Sequence, residues 1–155
     1  MPTTLAIALL LVASPLIAAD IVAIGPVQAS VQAQGDQEVS LPELRWVVHA
    51  PRDVWGTSVT FTSGPFIHTQ HPQYRVDCRL HLRLLQAAGP SQWQVGAASD
   101  ATNLLRNDPA AVVTASSTGH GAAMLGLRAT FIPPPGDQVP AGDYVTQVVG
   151  LVTGI

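Results

Sequence analysis

The chain has 155 residues, enough for one domain with a sizeable core, and 47% of them are hydrophobic against only 11% charged. That balance excludes a disordered chain, because there is ample apolar surface to offset chain entropy. The net charge of −3 leaves no electrostatic case for nucleic acid, and a single cysteine excludes an internal disulfide.

The N-terminus reads as an export signal. Leu5 to Ala13 is an unbroken apolar run, Ser14-Pro15 breaks it, and Leu16-Ile17-Ala18-Ala19 leads to Asp20. A small residue at the last position places cleavage after Ala19. Met1 to Thr4 departs from the usual pattern, since it carries no Arg or Lys. The run is too short for a transmembrane helix, and Pro15 interrupts its continuation. The expectation is a signal peptide over 1–19 and a domain over 20–155. The product is secreted, periplasmic or held at the cell surface, with no membrane span after cleavage.

Beyond the signal, Gly and Pro fall between short apolar runs, Val and Thr are plentiful, and Lys is absent. That mixture favours strands. Val27, Ala29, Val31 and Ala33 alternate with Gln28, Ser30 and Gln32, which predicts a strand with small inward residues before a turn at Gln34–Gln37. The next strand, Leu44 to Ala50, turns Leu44, Trp46 and Val48 inward. Trp55 to Ser63 follows, with Trp55, Thr57, Val59 and Phe61 on one face and Ser58, Thr60 and Thr62 on the other. Phe66 to Gln73 is expected to be a loop carrying His68 and His71.

The chain is organised around Tyr74 to Leu84. Tyr74, Val76, Cys78, Leu80, Leu82 and Leu84 alternate without a fault with Arg75, Asp77, Arg79, His81 and Arg83. Period two means a strand with one face on a core and one in water. Cys78 falls on the inward face, as a small buried hydrophobe.

Trp93 to Ala97 is a short strand. Ser99 to Pro109 is irregular, with a single helical turn at Asp100 to Leu105. Ala111 to Ala115 is a strand, Ser116 to Gly121 a loop, and Ala123 to Ile132 a strand with Leu125, Leu127, Ala129 and Phe131 inward. Pro133-Pro134-Pro135-Gly136 stops it, and Asp143 to Thr153 closes the chain with two apolar faces. These are about seven or eight strands without βαβ alternation, and so many inward apolar residues need a second sheet to cover them. The fold class is an all-β, antiparallel β-sandwich.

The closing segment Val139-Pro140-Ala141-Gly142-Asp143-Tyr144, with the alternation that follows, resembles the last strand of exported bacterial surface proteins, the fimbrial subunits and spore-coat-U-like proteins. The resemblance covers about fifteen residues, plus the signal and the all-β pattern. It implies an immunoglobulin-like domain and a surface-structure subunit that donates an N-terminal strand to a neighbour. Val27, Ala29, Val31 and Ala33 are the candidate assembly strand. The ordinary alternative is that this segment is the first strand of its own sandwich. The chain departs from such subunits in lacking a disulfide and in stopping at Gly154-Ile155.

Catalytic chemistry finds little support. His68-Thr69-Gln70-His71 offers two ligands where zinc needs three or four, so these read as two exposed loop histidines. Ser116-Ser117-Thr118-Gly119-His120-Gly121 lacks the lysine of a phosphate-binding loop, and the chain holds no G-x-S-x-G elbow. Of Trp46, Trp55 and Trp93, two fall at inward positions, so core packing rather than a sugar-stacking platform is the expectation. The outward stripe Arg75, Arg79, His81 and Arg83 is the candidate ligand-binding set, a cationic ladder suited to an anionic glycan or acidic headgroups. Its ordinary alternative is a solvated face. The expected role is a structural or adhesive surface-assembly subunit, not an enzyme, without metal or cofactor, self-associating or joining other subunits. The alternative is a stand-alone binding module for carbohydrate or anionic polymer.

Overall fold

A computed structural model describes residues 3–11, 20–33, 36–52, 55–136 and 139–154, with 3–11 and 30–33 described by their backbone. The described residues form thirteen strands: β1 (Thr3–Leu11), β2 (Asp20–Ile24), β3 (Gln28–Ala33), β4 (Val39–Ser40), β5 (Leu44–Ala50), β6 (Gly56–Ser63), β7 (Phe66–His68), β8 (Arg75–Ala88), β9 (Gln92–Val95), β10 (Ser99–Ala101), β11 (Ala111–Thr118), β12 (Gly121–Ile132) and β13 (Tyr144–Gly154). One 3-10 turn, Leu104–Arg106, is the only helical element among them.

The strands fall into two sheets. In sheet I the order is β2-β5-β12-β8, with β4 continuing the β5 edge of β12 and β10 on the far edge of β8. In sheet II it is β9-β11-β6-β13, with β1 on the other edge of β13 and β3 outside β1. The first residues of β8 pair with β7, and β7 pairs with β13, so the two sheets meet at that corner. Every pairing is antiparallel except that of β1 with β13.

Alternation carries over directly into burial. In β8, Val76, Cys78, Leu80 and Leu82 are buried, and across the pair β12 buries Leu125, Leu127, Ala129 and Phe131. Sheet II answers with Val59, Phe61, Val113, Tyr144 and Val148. Aromatic contacts tie the layers together: Trp46 of β5 to Phe61 of β6 at 6.3 Å between ring centroids, and Phe131 of β12 to Phe66 and Tyr144, both at 5.4 Å. Each fully buried Leu or Phe contributes roughly 1.5–3 kcal/mol. This is the all-β sandwich that period two implies.

Several expectations are corrected. There are thirteen strands rather than seven or eight, because short stretches without a full alternating period still form ladders. Phe66–His68 forms β7 within the segment expected to be a loop, and Ser99–Ala101 forms β10. The helical turn is Leu104–Arg106 rather than Asp100 to Leu105, and Asn103 caps it, its side chain accepting from the Arg106 amide. Ser116–Thr118 belongs to β11, leaving Gly119–His120 as the turn. Trp55 precedes its strand and is 91% exposed, whereas Trp93 is buried. Thr3–Leu11 is a strand, and the expected cleavage site lies outside the described residues.

Candidate functional site

The ladder expected on β8 does not hold together as one row. Arg75 lies where β8 still pairs with β7, at a cleft of about 290 Å³ lined also by Tyr74, Val76, Pro134, Val139, Pro140 and Tyr144. Arg79, His81 and Arg83 lie further on, on the outer face of sheet I. Arg79 pairs with Glu38. Asp77, between them in sequence, accepts from the Thr102 hydroxyl at 2.7 Å and the Leu104 amide at 3.0 Å.

What gathers round Arg83 comes from other strands. Arg45 of β5, Gly126 of β12 and Arg83 form one row across the sheet. Arg128 stands in the next row, opposite His81. Strand spacing puts Arg45 and Arg83 about 10 Å apart at the backbone, and Arg128 is the diagonal neighbour of both at about 7–8 Å. Glu43, just before β5, reaches over Gly126 and takes Arg83 in two hydrogen bonds, Nε to Oε2 at 2.6 Å and Nη2 to Oε1 at 2.9 Å. A Cβ on Gly126 would meet that carboxyl group at 2.7 Å, so the glycine is what lets Glu43 cross the strand. The bidentate bond from Arg83, helped by the charges of Arg128 and Arg45, holds the Glu43 carboxyl below its ordinary value, and raises that of Arg83. Arg45 and Arg128 are exposed and have no ion-pair partner among the described residues.

The second arrangement lies on sheet II. β1 runs parallel to β13 from Leu5 opposite Tyr144 to Leu11 opposite Gly150, and β3 pairs antiparallel with β1 from Gln28 opposite Ala8 to Ala33 opposite Thr3. β1 is the one strand partner of β3 among the described residues. The expected assembly strand therefore lies at the margin of the sheet. Ala29 is buried and Val27, expected to face inward, is 44% exposed, because the strand begins only at Gln28. Val31 and Ala33 are placed by backbone within β3.

The third is the corner before β13. The Tyr144 hydroxyl donates to the Pro140 carbonyl at 3.0 Å, and burial raises the pKa of that phenol. His68 is buried rather than exposed. Its Nδ1 accepts the amides of Gln70 and His71, both at 3.1 Å, so Nε2 carries the hydrogen and donates to Ala141 at 3.2 Å. Its ring is a structural pin between β7 and the corner. Gly142, at φ +149°, is required there, since a Cβ would lie 2.2 Å from the ring.

The remaining candidates are occupied by structural duties. Asp100 accepts the Val112 amide at 2.8 Å. Cys78 is buried, its Sγ 3.6 Å from the Ser63 hydroxyl, and burial pushes its pKa up to about 11. Among the described residues no three His, Cys, Asp or Glu side chains stand together as metal ligands, and no helix is long and apolar enough to cross a membrane.

No family model and no curated protein matches the chain. Among solved structures, the collagen-binding domain from a Staphylococcus aureus adhesin is similar at 8% identity, over 72% of this chain and 94% of that domain, with a TM-score of 0.18. A superposition this loose assigns neither fold nor function.

Reading one strand at a time finds Arg83 but misses Arg45, Arg128 and Glu43, which reach it only through sheet pairing. A partial signal was present: Glu43 and Arg45 flank the inward Leu44, so both point outward from the same strand end. Nothing in the sequence pointed to β1 as the neighbour of β13.

Proposed function

We propose that this chain is an exported, non-catalytic subunit of a surface assembly, an immunoglobulin-like domain that joins its neighbours by donating a strand. The observation that supports this reading is the position of Thr3–Leu11. That segment covers one edge of β13 and is also, among the described residues, the sole strand neighbour of β3. It overlaps the apolar run that reads as a signal peptide.

Removal of the signal then has two consequences at once. The β13 edge from Tyr144 to Gly150 loses its ladder, and β3 loses its partner. An unpaired edge is a template for another strand, and an unpaired strand is a donor. β2 stays anchored on β5 by its own ladder, so β3 is tethered close to the domain that offers it. Donation to the next copy is head-to-tail, and such a contact builds an open filament when the rotation between copies does not close on itself. The buried tyrosine hydroxyl bonded back to Pro140 is a corner of the kind immunoglobulin-like sandwiches use, and supports that finer fold assignment.

The test is capping in trans. A chain beginning at Asp20 is mixed with a peptide of the Thr3–Leu11 sequence carried on a soluble tag. The expected result is association of the shortened chain that the peptide suppresses and a scrambled peptide does not. Association indifferent to the peptide contradicts strand donation at this edge.

A further inference from the structure

We infer that the Arg45–Arg83–Arg128 cluster on the outer face of sheet I is a binding site for a carboxylate-bearing polysaccharide. The inference is independent of the assembly reading, because the cluster lies on the opposite sheet from the β13 edge.

The argument begins from how the three guanidinium groups are used. Arg83 already holds a carboxylate in the two-pronged geometry that a guanidinium fork favours. That carboxylate belongs to Glu43, which lies flat over Gly126 and is largely covered, its side chain 11% exposed. Arg45 and Arg128 flank it without ion-pair partners among the described residues. One internal carboxylate thus stands among three arginines and is bonded to one of them, and the other two forks are open to solvent. Glu43 occupies the Arg83 fork through both of its hydrogen bonds, in competition with any outside carboxylate.

The chemistry of the occupant follows from the surroundings. The face carries four arginines, Arg45, Arg79, Arg83 and Arg128, against Glu38, Glu43, Asp77 and Asp20, so its positive excess is confined to the neighbourhood of Arg45, Arg83 and Arg128. That excess is too small to hold a polyphosphate or an anionic bilayer by field alone, since such binding scales with the number of charges neutralised. Recognition must come from fork geometry, and the acceptors these forks hold within the chain, Glu43 and Glu38, are carboxylates. Arg45, Arg128 and Arg79 also step diagonally across β5, β12 and β8, at about 7–8 Å per step. A repeating carboxylate along an extended chain meets that line at several points, and weak single contacts then add through effective concentration.

The test measures binding of the protein to polygalacturonate by isothermal titration at low salt, with neutral galactan, phosphatidylserine vesicles and single-stranded DNA as comparisons. Arg45→Ser with Arg128→Ser is expected to weaken polygalacturonate binding by about tenfold or more, the loss of a charge-assisted contact or two. Arg106→Ser removes an exposed arginine from the 3-10 turn, outside the Arg45–Arg83–Arg128 cluster, and is expected to leave affinity within about twofold. Glu43→Gln is expected to tighten binding, because it removes a competing carboxylate and frees the Arg83 fork. The inference is overturned by an unchanged affinity in the double variant, by equal losses with Arg106→Ser, or by tighter binding to vesicles or DNA than to polygalacturonate. Coincident urea melts of the variants keep folding apart from binding.

Discussion

Tyr144 shows how much one side chain carries. Its ring packs edge-on to Phe131 and His68, and its hydroxyl satisfies the Pro140 carbonyl. Tyr144→Phe keeps the packing and loses the bond, so it is expected to cost about 1 kcal/mol in urea unfolding. Cys78 gives a pH signature. Its thiol is raised from 9.0 to about 11 by burial, so between these values the unfolded thiol ionises while the folded one stays protonated. The unfolded state then binds fewer protons, and stability falls as pH rises through that window, by about 2–3 kcal/mol in all. Urea midpoints measured from pH 8 to 11 are expected to fall more steeply for the native chain than for Cys78→Ala. Parallel slopes contradict the assignment of the effect to this thiol.

At the scale of elements, β8 was the most legible part of the sequence and β7 among the least. Fourteen residues of β8 give period two many chances to show itself. Leu82 is 1% exposed at its centre, so Leu82→Asp buries an unpaired carboxylate at a cost of several kcal/mol, comparable to the whole stability of a domain. No cooperative thermal transition is expected from that variant, and a soluble protein with a sharp melt contradicts the placement of β8. β7 has three residues, too few for any period, and exists because β13 and β8 flank it. His68 was misread for the same reason: its burial is imposed by Gly142 and Ala141, more than seventy residues away in sequence. Trp55 failed in the opposite direction, since alternation was extended one residue past the start of β6, at Gly56. The cationic site was half legible. Arg79, His81 and Arg83 could be found along one strand, whereas Arg45 and Arg128 become neighbours only through the registers of β5 and β12.

For the whole molecule, the two outer faces divide the work that the proposals assign. Sheet I presents Arg45, Arg79, His81, Arg83 and Arg128 to solvent, on strands whose inner residues form the core. Sheet II presents Ser58, Thr60 and Thr62 of β6, with Val145 and Leu151 of β13, and carries at its margin the strands β1 and β3. A subunit that assembles through the margin of one sheet keeps the face of the other free along a filament, so ligand contacts repeat at every copy. The assembly rests on a strand that leaves, and that is where the account is most exposed. The measurement that tests it most directly is light scattering on a sizing column, comparing a chain that begins at Asp20 with the same chain carrying Ala29→Pro and Val31→Pro. Proline cannot donate to a ladder, so it disables β3 as a donor without touching the β13 edge. The account predicts that the first chain grows in mass beyond a dimer as concentration rises, while the proline variant stays folded and monomeric. A first chain that is monomeric at every concentration, or a variant that associates equally well, contradicts it.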